Sequence, residues 1–234
     1  MGNNWLNIIQ DYLLPPTCVF CGNAGYLQRD LCQPCLQQLP LNQPSCFQCG
    51  ARLNTADLVG IPCGHCLNQP PAFDHTLAPF IYHGAIRHLI TGLKFRADYK
   101  NARLLGQLLA HHVQQSTIDK PQLILPIPLH RSRYRERGFN QALEIARTVG
   151  QALQLPIDLS SCQRQRDTPH QTGLSAKERR KNLKNAFRLT QAIKADHLVL
   201  LDDVMTTGTT VNELARVLKK AGTRRVDVWV CART

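Results

Sequence analysis

Eight of the ten cysteines lie before residue 67, in four pairs that share the spacing Cys-x-x-Cys. The pairs are Cys18 and Cys21, Cys32 and Cys35, Cys46 and Cys49, and Cys63 and Cys66. Two thiolates at this spacing can turn inward on a tight knuckle, and two knuckles supply the tetrahedral sulfur set that Zn²⁺ prefers. Because disulfides do not favour a repeated two-residue separation, metal ligation is the better interpretation. The spacing predicts two structural zinc sites, with the knuckles paired either sequentially or in an interleaved order.

Residues 198–210 combine an apolar run, two carboxylates and a turn rich in hydroxyl groups. We predict a buried strand that ends at Asp202 and Asp203, then a turn that leads into a helix. The turn contains Met205, Thr206, Thr207, Gly208, Thr209 and Thr210. Ligands of parallel sheets bind at the carboxyl ends of strands, and the N–H groups of a helix N-terminus suit a phosphate. Because an ionised carboxylate only accepts hydrogen bonds and a diol donates two, the pattern predicts a site for a ribose phosphate.

This segment resembles the phosphoribosyl pyrophosphate (PRPP) signature of the type I phosphoribosyltransferases, in which two acidic residues precede a Thr/Gly turn. Two further segments narrow the resemblance. One runs from Pro126 to His130 and continues through Arg137-Gly138-Phe139-Asn140-Gln141, and the other is Arg166-Asp167-Thr168-Pro169-His170-Gln171. Together with the cysteine-rich segment, these motifs identify the chain as a member of the competence protein F (ComF) family, over nearly its whole length.

The resemblance implies a PRPP site in which Mg²⁺ accompanies the pyrophosphate. Asp202 and Asp203 would be the catalytic residues and would hold the ribose hydroxyls. Met205 and the residues from Thr206 to Thr210 would hold the 5′-phosphate. The loop Pro126, Ile127 and Pro128 falls where the related enzymes bind pyrophosphate. A basic segment takes the position of their mobile loop, with the candidates Arg166, Gln171, Arg179 and Lys181. Cations brought to a departing pyrophosphate would stabilise the transition state electrostatically.

Positive charge is concentrated after residue 72. The formal net charge is +12, while residues 1–72 carry two basic and three acidic side chains, so the remainder carries +13. Phosphate neutralisation by lysine and arginine dominates nucleic-acid binding, and aromatics among basic residues suit single strands. The candidates for single-stranded DNA are Arg131, Arg133, Tyr134, Arg135 and Arg137. Phe139 could either stack on a base or anchor its helix in the core, and the charge serves PRPP equally well.

The elements that must position these residues follow from hydrophobic periodicity. An N-terminal helix carrying Trp5 ends at Pro15-Pro16, and a zinc-ribbon module completes residues 1–72. After Pro70-Pro71 strands are predicted at 78–82, 123–125, 197–201 and 226–230, and helices at 85–93, 104–113, 141–153 and 211–221. Strands alternating with helices predict an α/β domain over 73–234, a type I phosphoribosyltransferase-like parallel sheet flanked by helices.

Two functions from different classes remain open at this point. In the first, the chain is a cytoplasmic accessory protein of natural competence that handles single-stranded DNA during uptake and utilisation, with other competence proteins as partners. In the second, it is an active Mg²⁺-dependent phosphoribosyltransferase with an unidentified acceptor. The sequence contains no run of about 18 uncharged apolar residues, the length that a membrane span requires.

Overall fold

The structure is a computed structural model that describes residues 15–54, 60–117, 119–167 and 185–234. The predicted N-terminal helix lies outside these ranges. Contacts along the chain divide it into two compact units between Pro40 and Leu41. This division differs from the predicted boundary after residue 72, because the second group of four cysteines belongs to the larger unit.

The first unit contains two cysteine knuckles and a short helix, α1, at Gln33–Gln37. A proline in the first turn of α1 costs no hydrogen bond, since the first N–H groups of a helix have no intrahelical acceptor. The first knuckle is closed by hydrogen bonds from the Cys18 N–H to the Asn23 carbonyl, at 2.7 Å, and from the Gly22 N–H to the Cys18 carbonyl, at 2.9 Å. These bonds make the segment a tight turn around its sulfur atoms.

The larger unit is built on a parallel sheet. Its strands are β1 (His75–Leu77), β2 (Phe80–Ile81), β3 (Leu123–Pro126), β6 (His197–Met205) and β7 (Arg225–Arg233), in the order β1, β7, β6, β3 with β2 also paired to β7. All of these pairings are parallel. A separate antiparallel pair is formed by β4 (Cys162–Arg164) and β5 (Phe187–Leu189). The predicted parallel α/β fold is confirmed.

Helices cover both faces of this sheet. The helices described in the larger unit are α2 (Gly64–Asn68), α3 (Gly84–Arg96), α4 (Tyr99–Gln115), α5 (Arg131–Arg137), α6 (Gln141–Leu153) and α7 (Thr209–Lys220), of which α4, α6 and α7 pack on the sheet. Successive strand residues point to opposite faces, so Leu198 and Leu200 share one apolar cluster with Leu214 of α7. On the other face α4 packs on β7 and α6 packs on β3 and β6. A Cβ at Gly106 of α4 would come within 2.6 Å of the Thr148 side chain, so glycine lets α4 and α6 approach closely.

The observed elements differ from the predicted ones in two informative ways. Strand β6 continues through Met205, because Asp202, Val204 and Met205 pair with β7. The two aspartates therefore lie inside the strand and not at its end. Helix α5 and the β4–β5 pair were not predicted, since the sequence of α5 has no apolar stripe and each of the two strands has only three residues. No helix in the described ranges is long and apolar enough to cross a membrane.

Candidate functional site

The eight paired cysteines form two clusters of four sulfur atoms. Each cluster joins consecutive knuckles, one with Cys18, Cys21, Cys32 and Cys35 and the other with Cys46, Cys49, Cys63 and Cys66. Within each cluster all sulfur atoms lie within 4.8 Å of one another. Of the two pairings left open by the sequence, the structure has the sequential one.

The spacing of the sulfur atoms fits zinc ligation. The Sγ atoms of Cys21 and Cys32 are 3.5 Å apart, and those of Cys49 and Cys63 are 3.8 Å apart. A tetrahedral site with Zn–S bonds of about 2.3 Å requires S···S distances of about 3.8 Å, whereas a disulfide requires about 2.0 Å. Four thiolates complete a tetrahedral set, so zinc would be structural and would contribute its binding free energy to folding.

Backbone N–H groups support the thiolate form in the second cluster. The Cys46 Sγ atom accepts hydrogen bonds from the N–H of Cys63 at 3.1 Å and of Cys49 at 3.5 Å. Burial raises the pKa of Cys46, but these backbone bonds outweigh it and lower the pKa to about 7. Because the thiolate is the metal ligand, these bonds favour Cys46 as a ligand near neutral pH.

We expect the chain to bind two zinc ions. Inductively coupled plasma mass spectrometry should find about two zinc ions per chain and about one in each of two double variants, Cys18→Ser with Cys21→Ser and Cys46→Ser with Cys49→Ser. Cys162→Ala is the matched control, because Cys162 is buried away from both clusters and should leave the content at two. A wild-type content near one, or a double variant that retains two, contradicts this assignment.

The two aspartates of β6 point to opposite faces of the sheet. Asp202 is partly exposed on the face that α7 covers, and Asp203 is 2 % exposed on the face that α4 and α6 cover. The Asp202 carboxylate accepts a hydrogen bond from the Asp203 N–H at 2.9 Å, which fixes its orientation. Asp202 is therefore the more accessible of the two carboxylates, and the expectation that both hold one sugar diol stays a prediction.

The Asp203 carboxylate contacts a lysine and a glutamine on the sheet face that α4 and α6 cover. The Lys94 Nζ atom of α3 lies 2.5 Å from its Oδ2 atom, and the Gln141 side-chain amide of α6 lies 3.4 Å from its Oδ1 atom. Gln141 in turn accepts a hydrogen bond from Arg137 at 2.7 Å. Burial lowers the pKa of Lys94, but the charge of Asp203 outweighs burial, so the pKa is raised and the lysine stays protonated. Asp203 therefore positions the strand that carries Asp202.

The turn after β6 has the geometry of an anion site. Gly208 adopts a left-handed conformation with φ of 72° and caps α7, and its carbonyl accepts the Asn212 N–H at 2.9 Å. The hydroxyls of Thr207 and Thr209 are 2.7 Å apart, and those of Thr206 and Thr207 belong to exposed residues. The first N–H groups of α7 have no intrahelical acceptor and carry partial positive charge. Thr206 to Thr210 can therefore receive a phosphate.

Asp202 is poised between two protonation states. Burial, followed by the negative charge of Asp203, raises the pKa of Asp202 to about 8. The positive charge of Lys94 acts in the opposite sense. A carboxyl group with this pKa is partly protonated at neutral pH, and hydroxyl donors of a bound sugar would favour its ionised form.

A cavity of about 250 Å³ lies beside the loop Pro126, Ile127 and Pro128, which is predicted to bind pyrophosphate. Its lining includes Pro126, Pro128, Asn140 and Arg164. Asn140 caps α6 through the Ala142 N–H at 3.0 Å and donates to the Ile127 carbonyl at 3.0 Å, so it holds the loop against the helix. Burial lowers the pKa of Arg164, while the charges of Asp202 and Asp167 act against it. The guanidinium of Arg164 is thus near Asp202 and at the wall of the cavity.

The residues predicted to bind DNA all lie on α5, where some are exposed and others form side-chain hydrogen bonds. Arg131, Tyr134 and Arg135 are exposed and share one face at helical spacing. Arg133 instead bonds to Glu136 at 3.1 Å, and Arg137 bonds to Gln141. Phe139, for which base stacking and core packing were both open, is 5 % exposed and packs 5.3 Å from the ring of Tyr99, so it belongs to the core.

The predicted mobile-loop residues are only partly described. Arg166 is exposed at the end of a described range, and Gln171, Arg179 and Lys181 lie outside the described residues. Sequence reasoning missed Lys94, Gln141, Arg164 and Arg233 as residues that surround the site. Gln141 stood inside one of the two motifs and Arg164 two residues before the other, whereas Lys94 and Arg233 belong to other elements and carried no local signal.

Two family models and several known proteins are similar to this chain. A family model of the double zinc ribbon domain matches residues 9–67, and one of the phosphoribosyl transferase domain matches residues 136–233. Competence protein F of Haemophilus influenzae is 34% identical over 224 residues, which cover 92% of this chain and 96% of that protein. DNA utilization protein YhgH of Escherichia coli O157:H7 is 36% identical over 208 residues, covering 87% and 90%.

A solved structure also matches part of the chain. Glutamine phosphoribosylpyrophosphate amidotransferase from B. subtilis, complexed with ADP and GMP, aligns with a TM-score of 0.37 and 19% identity, over 55% of this chain and 25% of that one. A likeness at this level carries no argument about the site.

Proposed function

Because this chain belongs to the family of competence protein F and the DNA utilization proteins, we propose that it handles incoming single-stranded DNA in the cytoplasm, through a domain that binds a phosphoribosyl ligand. Cysteines that serve as zinc ligands suit a reducing compartment, which supports the cytoplasm. Other proteins of the competence machinery would be its partners.

One observation carries the ligand proposal, namely that Asp202 and the Thr206–Thr210 turn follow one another at the carboxyl end of β6. A sugar diol can donate to the partly exposed Asp202 carboxylate while its 5′-phosphate accepts from the N–H groups of α7. Isothermal titration of the full chain with ribose 5-phosphate tests this proposal. One binding event per chain is expected, and an absence of heat at millimolar ligand contradicts it.

Mg²⁺ would accompany PRPP in this site. Magnesium binds few protein carboxylates and prefers the oxygens of substrate phosphates, and Asp202 offers a partly exposed carboxylate for such a site. The ion would neutralise part of the pyrophosphate charge. Arg164, at the wall of the cavity beside Pro126 and Pro128, would contact the pyrophosphate on its other side.

The exposed face of α5 is the part of the body best suited to single-stranded DNA. Arg131 and Arg135 offer positive charge to phosphates, and Tyr134, half exposed between them, offers a ring on which a base can stack. This helix borders the cavity beside the pyrophosphate loop, since Arg131 and Tyr134 line it. DNA and a phosphoribosyl ligand would therefore approach adjoining surfaces.

Replacing Arg131 and Arg135 together by alanine should weaken single-stranded DNA binding and reduce the salt slope of log K by about 1.4, since each lost phosphate contact removes about 0.7 for single strands. Fluorescence anisotropy with a labelled oligonucleotide at several salt concentrations measures both quantities. Arg147→Ala is the matched control, because Arg147 is an exposed arginine of α6 that pairs with Glu144. Equal slopes for the double variant and the control contradict the assignment of this face.

A second candidate function is transfer of ribose 5-phosphate from PRPP to an acceptor, an enzyme activity that the cavity beside Arg164 favours. A departing pyrophosphate would find a cation there and a loop held in place by Asn140. Pyrophosphate release from PRPP, measured over a panel of acceptors with and without DNA, tests this candidate. Release that requires an acceptor supports a transferase, and PRPP binding without release supports a ligand-binding role.

A further inference from the structure

Arg233, the last residue of β7, connects the second cysteine cluster (Cys46, Cys49, Cys63 and Cys66) to the turn from Thr206 to Thr210, which we name the phosphate turn. Its guanidinium donates to the Cys49 carbonyl at 3.2 Å and to the Met205 carbonyl at 3.1 Å. It also donates to the carbonyl of Thr206 and, at 2.9 Å, to that of Thr234. One side chain therefore holds a knuckle of the zinc cluster and the two residues at which the turn begins.

The knuckle is itself fixed to the sheet, so it can act as a rigid anchor. The Thr76 hydroxyl of β1 donates to the Gln48 carbonyl at 2.7 Å, and the Thr76 N–H donates to the Phe47 carbonyl at 3.1 Å. The Asn42 side-chain amide bonds both the Gly50 carbonyl, at 2.9 Å, and the Ala78 carbonyl, at 3.0 Å. Loss of the metal would remove the metal-mediated link from the Cys46–Cys49 turn to Cys63 and Cys66, so hydrogen bonds alone would hold that turn. Among the contacts described, only Arg233 connects the turn directly to Met205 and Thr206.

A second contact joins the same cysteine segment to α7. The Ala72 N–H donates to the Asn212 side chain at 2.7 Å. Asn212 lies near the start of α7, the helix whose N-terminus is part of the proposed phosphate site. Between this contact and Arg233 lies an open cleft of about 590 Å³, whose wall includes Cys49, Cys66, Thr206 and Gly208. The cysteine cluster and the phosphate turn are thus two walls of one cleft within the larger unit.

We propose that zinc in the Cys46, Cys49, Cys63 and Cys66 cluster and a phosphoribosyl ligand on the Thr206–Thr210 turn bind cooperatively, with Arg233 as the positioning residue that couples them. The inference rests on the proposed ligand. It assigns a role to the second zinc cluster beyond stability, because an anchored Arg233 keeps the carbonyls of Met205 and Thr206 turned away from the phosphate and the N–H groups of the turn towards it. The first cluster has no such role.

Coupling between two sites is reciprocal, so the ligand must retain the zinc as strongly as the zinc promotes the ligand. A chain with Cys18→Ser and Cys21→Ser carries zinc only in the second cluster, and its zinc release to a chromogenic chelator can be followed alone. At equilibrium with the chelator, saturating ribose 5-phosphate should increase the zinc affinity of this chain about fivefold or more, the lower end of typical coupling. The converse chain, with Cys46→Ser and Cys49→Ser, should have the same zinc affinity with and without ligand.

Two arginine variants test the coupling residue. Arg233→Met, made in the chain that keeps only the second zinc, should abolish the ligand's effect on zinc affinity, and Arg233→Lys should restore part of it, since one ammonium cannot reach all of the carbonyls. Arg216→Met is the matched control, because Arg216 lines the same cleft but pairs with Glu213 on its own helix. Retained coupling in Arg233→Met, or lost coupling in Arg216→Met, overturns the proposal.

Hydrogen exchange measures the same link without any ligand. In peptides that cover residues 204–212, removal of the second zinc and the substitution Arg233→Lys should each increase amide exchange, while removal of the first zinc should not. Unchanged exchange overturns the link whatever the ligand does. Increased exchange in a chain that binds no ribose 5-phosphate overturns the proposed ligand and the cooperativity with it, and leaves Arg233 as the link between cluster and turn.

Discussion

Replacing Lys94 by methionine should lower the free energy of unfolding by about 3–5 kcal/mol, the cost of leaving a buried charge without its partner. Asp203 is 2 % exposed, and Lys94, at 2.5 Å, supplies its counter-charge. Methionine fills a similar volume without the charge, so the loss reports the ion pair and not a cavity. Urea unfolding of the two chains, followed by circular dichroism, measures the difference.

The second substitution Asp203→Asn should recover most of this loss. Asparagine removes the buried charge and can still accept the hydrogen bond that Gln141 donates to Asp203 at 3.4 Å. The four chains of the double-mutant cycle isolate the pairwise energy. Lys100→Met is the matched control, because Lys100 is an exposed lysine at the start of α4. A destabilisation by Lys94→Met no larger than that of the control contradicts the assignment.

The sequence predicts most accurately what depends on local spacing. The Cys-x-x-Cys pairs place their sulfur atoms on single turns, and a run such as Leu198 to Leu201 is apolar enough to be a buried strand. The pairing of the knuckles depends on where the chain returns, and spacing along the chain does not specify that. The length of β6 was underestimated because two charged residues break the apolar run, although their backbone groups still pair with β7.

The Arg-Gly-Phe-Asn-Gln motif shows why residue roles are harder to predict than the site itself. Asn140 and Gln141 act through partners far away in the chain, the Ile127 carbonyl and the Asp203 carboxylate. Phe139 is buried against Tyr99. Phe139, Asn140 and Gln141 are thus committed to the packing and hydrogen bonds that hold the loop, the helices and the strand of the phosphoribosyl site together.

The different burial of Asp202 and Asp203 also could not be predicted from the sequence. Successive residues of a strand point to opposite faces, so two consecutive acids within a strand have different surroundings. Because β6 continues to Met205, one carboxylate meets Lys94 and the other meets the ligand side. Asp202 is therefore the residue on which the proposed sugar site depends.

Asp202→Asn should weaken ribose 5-phosphate binding by at least about 100-fold. Two hydroxyl donors lose a charged acceptor, and hydrogen bonds to charged groups contribute about 1.5–3 kcal/mol each. Binding of inorganic phosphate should be unchanged, since the Thr206–Thr210 turn remains. Asp196→Asn is the matched control, because Asp196 is an exposed aspartate just before the opposite end of β6. Equal losses of sugar phosphate and of inorganic phosphate would place the carboxylate outside a diol site.

The pH dependence of the same variant distinguishes a carboxylate that binds a sugar from one that only supports the strand. With a pKa near 8, raised by burial and by Asp203, Asp202 ionises as the pH rises from 7 to 9. Ribose 5-phosphate is already fully ionised there, since the second pKa of a phosphate monoester is about 6. Affinity should therefore increase over this range in the wild-type chain and stay flat in Asp202→Asn.

Stability without ligand should move in the opposite direction. The folded chain keeps the Asp202 proton between the unfolded pKa of 3.8 and the folded value of about 8, so it binds more protons than the unfolded chain in this window. The free energy of unfolding therefore falls as the pH rises through the window, and the Asp202 contribution to that fall is absent from Asp202→Asn. Urea unfolding across the window, compared between the two chains, measures it. Because ionisation of Asp202 costs folding free energy that a bound diol would recover, the two opposed trends should appear together, and a wild-type chain with neither trend would contradict the sugar site.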